Sequence, residues 1–132
     1  PQLSRVSNKR IPLLEDVTKD NELYMAFFGY LSQKHLEETL EFYSSVNAYH
    51  WRADNDLPTA QIAELGLGTF NKYVKTGAEK QISVDDMLLE TITNRVAAGD
   101  WSRDLFDGAL SMVKLDLNES FQNWLKISNY RI

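Results

Sequence analysis

Apolar residues recur at three- and four-residue intervals from one end of this chain to the other, and no stretch alternates apolar and polar with a period of two. A helix turns by about 100° per residue, so this spacing gathers apolar side chains on one face, whereas a half-buried strand needs strict alternation. Leu36, Leu40, Tyr43, Val46 and Tyr49 give the clearest such stripe, and the helix that carries them is expected to end near Trp51. Leu23, Phe27, Tyr30 and Leu31 form another, widened by Met25 and Phe28, with Asp20 as the expected N-cap and Glu22 near the positive end of the dipole. Ahead of it, Pro12 fits near the start of a short helix with Leu13, Leu14 and Val17 as its apolar edge.

Asp54-Asn55-Asp56 with Pro58 reads as a turn. Pro58 or Thr59 then opens a helix that buries Ile62, Leu65, Thr69, Phe70, Tyr73 and Val74. Gly66 and Gly68 lie inside it, each at a cost of roughly 1 kcal/mol against alanine, and a close helix crossing would account for both. Gly77 is the expected stop. After a loop to Gln81, Ser83-Val84-Asp85-Asp86 reads as a helix start with Ser83 as the cap. Leu88, Ile92 and Val96 continue that helix to Gly99, and Trp101 after it reads as an exposed anchor or a loop residue tucked onto the core, the second being preferred. Asp104 is expected to open a further helix with Leu105, Ala109, Met112 and Val113 inward, closing at Leu117. Asn118 would cap a last helix with Phe121, Trp124, Leu125 and Ser128 on one face. The expected class is an all-α bundle, and periodicity alone leaves its packing open, a four-helix up-down bundle among the alternatives.

At 132 residues the chain has room for one domain with a real core, and an apolar content of 43% argues against disorder. A net charge of −5 speaks against a nucleic-acid partner, because phosphate binding needs a basic face. The absence of cysteine excludes disulfides and thiolate zinc sites. His35 and Glu38 have the i, i+3 spacing of a metal pair, but no further ligand accompanies them, so no metal or cofactor is expected. The most apolar run, Met25 to Leu31, is too short to cross a bilayer. No phosphate loop and no nucleophile–histidine–acid motif is present, so an enzyme with its own active site is not expected. The chain begins with proline, and we expect it to be a piece of a longer protein.

Two separated segments mix carboxylates and hydroxyls with helically spaced apolar residues: Glu37-Glu38-Thr39-Leu40-Glu41-Phe42-Tyr43 and Glu119-Ser120-Phe121-Gln122-Asn123-Trp124-Leu125. Phe42, Tyr43, Phe121 and Trp124 read as core. Between the two segments stand Phe70-Asn71-Lys72-Tyr73-Val74, Ile82-Ser83-Val84-Asp85 and Phe106-Asp107-Gly108-Ala109. In this order and at these distances, the motifs resemble those of the regulator of G-protein signalling (RGS) family over residues 13–130.

The resemblance implies a nine-helix domain, residues 1–132, with an antiparallel four-helix bundle lobe and a terminal-helix lobe. It implies a GTPase activator that binds the switch regions of a heterotrimeric G-protein α subunit, in its GTP-bound or transition state, and supplies no catalyst of its own. The alternative within the same family is a protein-binding or scaffold module that does not accelerate hydrolysis. A cytoplasmic location follows from the resemblance, at the inner face of the plasma membrane when the partner or other domains hold it there.

Carried over position by position, the resemblance assigns partner contacts to Glu38 and Thr39, to Ser83 and Asp85, and to Glu119, Ser120 and Asn123. Leu115 would add an apolar contact, although the interval from Phe106 to Ser120 is one residue shorter than the family's usual one. Thr39 and Ser83 stand where asparagine is usual, and Asn123 where arginine is usual. Each exchange shortens or removes a donor, and one lost interfacial hydrogen bond costs about 0.5–1.5 kcal/mol.

Overall fold

The computed structural model describes residues 9–132. After a 3-10 turn at Leu14–Asp16 come α1 (Asn21–Gln33), α2 (Glu37–Asp54) and α3 (Thr59–Thr69), which passes directly into a π-helical turn (Phe70–Val74). α4 (Asp86–Ala97) and α5 (Asp107–Ser128) complete the order. The all-α class holds, with no strand among the described residues. A helix count of nine is not reached among them.

Two hydrophobic cores divide the molecule into two lobes. In the first, Phe42, Val46 and Tyr49 of α2 meet Phe70, Tyr73 and Val74 of the π turn, Ile92 of α4, and Phe106, Ala109 and Val113 at the start of α5. In the second, Leu40 and Tyr43 of α2 meet Leu23, Phe27 and Leu31 of α1 and Leu117, Phe121, Trp124 and Leu125 of α5, with Leu14 against them. α2 and α5 serve both cores, and their shared burial joins the lobes. Phe27, Phe121 and Trp124 form the aromatic centre of the second, with ring centroids 5.1–5.9 Å apart.

Asp20 caps α1 as expected and accepts from the Leu23 amide at 3.1 Å. Several other boundaries move. Met25 does not widen the α1 stripe and is 59% exposed. α2 runs one turn past Trp51, because Asn55 Nδ2 donates to the Trp51 carbonyl (2.8 Å) and Arg103 forms a two-pronged pair with Asp54 (2.6 and 3.1 Å). α3 gives way to the π turn and stops at Val74, three residues before Gly77, with Lys75 already extended (ψ 151°). The wider turn lets both Tyr73 and Val74 point inward. At the end of α4, Gly99 takes φ 71°, and the Asp100 amide reaches back to the Arg95 carbonyl at 2.9 Å, a left-handed stop that favours glycine.

The two helices expected on either side of Leu117 are one rod. Ala109, Val113, Leu117, Phe121 and Trp124 bury a single unbroken face, and neither Gly nor Pro interrupts it, so Asn118 is exposed in mid-helix and caps nothing. Asp104 does not open this helix. It lies in the preceding turn and accepts from Arg95 at 2.7 Å. Ser128, expected on the buried face, is exposed.

Gly66 and Gly68 differ in what surrounds them. A methyl group on Gly66 would sit 2.6 Å from the Trp101 ring and 3.0 Å from Tyr49, whereas nothing lies within 4 Å of the same position on Gly68. Trp101 packs against the first core through this close approach. Gly66→Ala is therefore expected to destabilise by about 1–2 kcal/mol, overpacking outweighing the gain in helix propensity. Gly68→Ala is expected to stabilise by up to about 1 kcal/mol. Urea unfolding of the two variants, with opposite shifts in midpoint, checks both.

Near the chain ends, Arg10 and Ile132 exchange both backbone hydrogen bonds, at 2.8 and 3.0 Å. Arg10 also grips Asp16 with two guanidinium nitrogens (2.8 and 2.9 Å). That pairing, with the Leu13 amide at 2.7 Å, lowers the Asp16 carboxyl to a pKa of about 2.

Candidate functional site

The start of α2, the loop before α4 and the middle of α5 converge on a small groove. His35 takes the left-handed conformation (φ 57°), and the Leu36 amide donates to the Leu31 carbonyl at 3.0 Å. The chain therefore reverses within a few residues and α2 begins beside the end of α1. Glu38 and Thr39 stand on its first turn. Thr39 Oγ1 donates to the Leu36 carbonyl at 2.7 Å, which engages its only proton and leaves its lone pairs to accept.

The loop from Lys75 to Asp85 is pinned at three points. The Ile82 amide donates to the Tyr73 carbonyl (2.8 Å), the Lys80 amide to the Lys72 carbonyl (3.1 Å), and the Lys80 ammonium to Glu41 (2.6 Å). The contact with Glu41 raises the Lys80 pKa above the ordinary lysine value. Buried Ile82 anchors the loop and leaves Ser83 exposed. Ser83 is not the cap of α4. Asp85 fills that place and accepts from the Leu88 amide at 2.8 Å, because its longer carboxylate arm and extended backbone (φ −68°, ψ 158°) suit the position two residues on.

The groove has a volume of about 130 Å³. Buried Ile82 and Val113, with half-exposed Leu36, give it an apolar lining. Glu38, Thr39, Ser83, Asp116 and Ser120 supply its polar atoms. Carboxylates and hydroxyls from three distant parts of the chain thus share one concave edge, fixed by two long helices and a pinned loop. Such an edge can accept hydrogen bonds from another protein's amides and cations, and its serine hydroxyls can donate. The model of the regulator of G protein signaling domain matches residues 13–131. The chain belongs to the RGS family. Among curated proteins none matches it.

Within this RGS domain the expected contact residues fall into three groups. Glu38, Thr39, Ser83 and Ser120 line the groove together. Glu119 and Asn123 are exposed on α5, one next to Ser120 in sequence and the other a turn further on, and neither lines the groove. Asp85 and Leu115 face elsewhere. Asp85 lines a wider recess with Asp86, Met87, Leu88 and Thr91. Leu115 is 75% exposed and borders a recess with Leu14, Glu15, Lys114 and Asn118.

The groove also contains residues that the motifs did not single out, namely Leu36, Val113 and Asp116. Asp116 was legible from spacing alone, since it precedes Ser120 by four residues and so shares its face of α5. His35 and Glu38 gain no further ligands, and no cluster of three metal-binding side chains occurs among the described residues. No helix of the described residues is long and apolar enough to cross a membrane.

Proposed function

We propose that this domain binds the switch regions of a heterotrimeric G-protein α subunit and accelerates its GTP hydrolysis, acting on another protein's active site rather than through one of its own. The observation that carries this reading is the meeting of Glu38, Thr39, Ser83 and Ser120 in one groove, within a chain of the RGS family. The α subunit already holds the catalytic arginine and the glutamine that orients water, so the gain comes from holding mobile loops in the arrangement the transition state needs. A rigid edge that binds this arrangement better than the ground state shifts the population toward it. The pinned Ser83 loop and the α2–α5 framework supply that rigidity. Two cores that share α2 and α5 support the reading of the described residues as a single domain. Its place of action is then the cytoplasmic face of the membrane that carries the α subunit.

A second reading, a binding module without acceleration, draws support from Thr39. Its hydroxyl proton is engaged with the Leu36 carbonyl, so the side chain can accept from a switch loop but does not donate to one.

Single-turnover GTP hydrolysis across a panel of α subunits tests the proposal, together with capture of the α subunit loaded with GDP and aluminium fluoride. Faster hydrolysis by at least one member is the expected result. Capture without faster hydrolysis, or no capture by any member, would reject the first reading and favour the second. Ser83→Asn extends the reach of the loop into the groove and is expected to raise the acceleration by up to about tenfold, the equivalent of one interfacial hydrogen bond. An unchanged rate would place Ser83 outside the contact, and a lower one would show that the longer side chain does not fit there.

A further inference from the structure

Asp116 brings a second carboxylate into the groove beside Glu38, and no cation lines it. Among the described residues neither carboxylate forms an ion pair. The nearest amine on the loop, Lys80, is held by Glu41 at 2.6 Å, and Lys114 borders the separate recess beside Leu115. We infer that Asp116, together with Glu38, receives a lysine or arginine side chain from the switch surface of the bound α subunit, and so determines which α subunits the domain engages. This rests on the reading of the groove as the switch-binding edge.

The physical grounds are threefold. Two carboxylates lining one concave, partly apolar depression with no cation beside them favour an incoming positive charge. The surrounding Thr39, Ser83 and Ser120 oxygens add acceptors for the several N–H groups that an ammonium or guanidinium carries. The same pair of carboxylates repels an acidic side chain at that position, so selection works by exclusion as well as by attraction. Asp116 is exposed and forms no hydrogen bond among the described residues that would make it a fold determinant.

The test measures association with an α subunit loaded with GDP and aluminium fluoride, at several salt concentrations, for the unchanged domain and for Asp116→Asn, Asp116→Lys and Glu64→Gln. Glu64 is exposed on α3 and stands outside the groove, so its variant removes the same formal charge elsewhere. Asp116→Asn is expected to slow association about threefold at low salt and to flatten its salt dependence, Asp116→Lys to do so by about tenfold or more, and Glu64→Gln to do neither. Equal behaviour of Asp116→Asn and Glu64→Gln would overturn the inference and leave the reading of the groove intact. If the unchanged domain captures no α subunit of the panel, that reading falls and the inference falls with it. Circular dichroism of the three variants is expected to match the parent.

Discussion

Trp124→Ala is expected to lower the unfolding free energy by about 3–5 kcal/mol, the largest loss from any single truncation considered for this molecule. The ring is 6% exposed and sits among Phe27, Phe121 and Tyr130, with centroids 5.4–5.9 Å away. Its removal leaves a cavity at the centre of the second core, and the neighbours that could collapse into it are rings held by other contacts. Domains of this size unfold with a net stability of only about 5–15 kcal/mol, so the loss is a large share of the whole. Thermal unfolding followed by circular dichroism should show a midpoint lower by roughly 10 °C or more. Leu115→Ala, on the same helix but at an exposed position, should stay within about 0.5 kcal/mol of the parent. A near-neutral Trp124→Ala would mean that α5 is rotated from the orientation described.

Glu38→Lys carries the largest expected effect on function, a loss of α-subunit binding of at least about 100-fold with the fold intact. Reversing the charge places an ammonium where the partner is read as offering one of its own, and like-charge contact across an interface costs several kcal/mol. The structural cost is small by comparison. Glu38 lies on the first turn of α2, where an acid is favoured over a base by about 0.3–1 kcal/mol, and it forms no ion pair among the described residues. Capture of the aluminium-fluoride-loaded α subunit, read beside the far-ultraviolet spectrum, separates the two effects. A melted domain would show Glu38 to be structural, and undiminished capture would remove the groove from the interface.

Much of this architecture was legible from periodicity because burial enforces it. Of the stripe read for α2, Leu40, Tyr43, Val46 and Tyr49 are buried as their spacing requires, Leu36 precedes the helix and is 38% exposed, and Phe42 joins the buried set because this helix serves two cores and needs two faces. Boundaries were harder to read, since they depend on local competition. Ser83 and Asp85 are both good caps, and the burial of Ile82 decided between them by fixing the register of the loop. Asn118 has the chemistry of a helix start but is exposed in mid-helix, beside an apolar stripe of Val113, Leu117 and Phe121 that continues unbroken past it. In the site, Glu38, Ser83 and Ser120 came from motifs and meet in space. Leu115 and Asp116 differ by one position on a helix, about 100° of rotation, which motif spacing with a one-residue deletion does not resolve.

The doubled backbone bond between Arg10 and Ile132 has a mechanical corollary. An exchange of this kind holds two α-carbons about 5.5 Å apart, so it fastens the segment before the 3-10 turn to the segment that follows α5. Opening that clasp would free both segments without breaking a hydrogen bond of any helix.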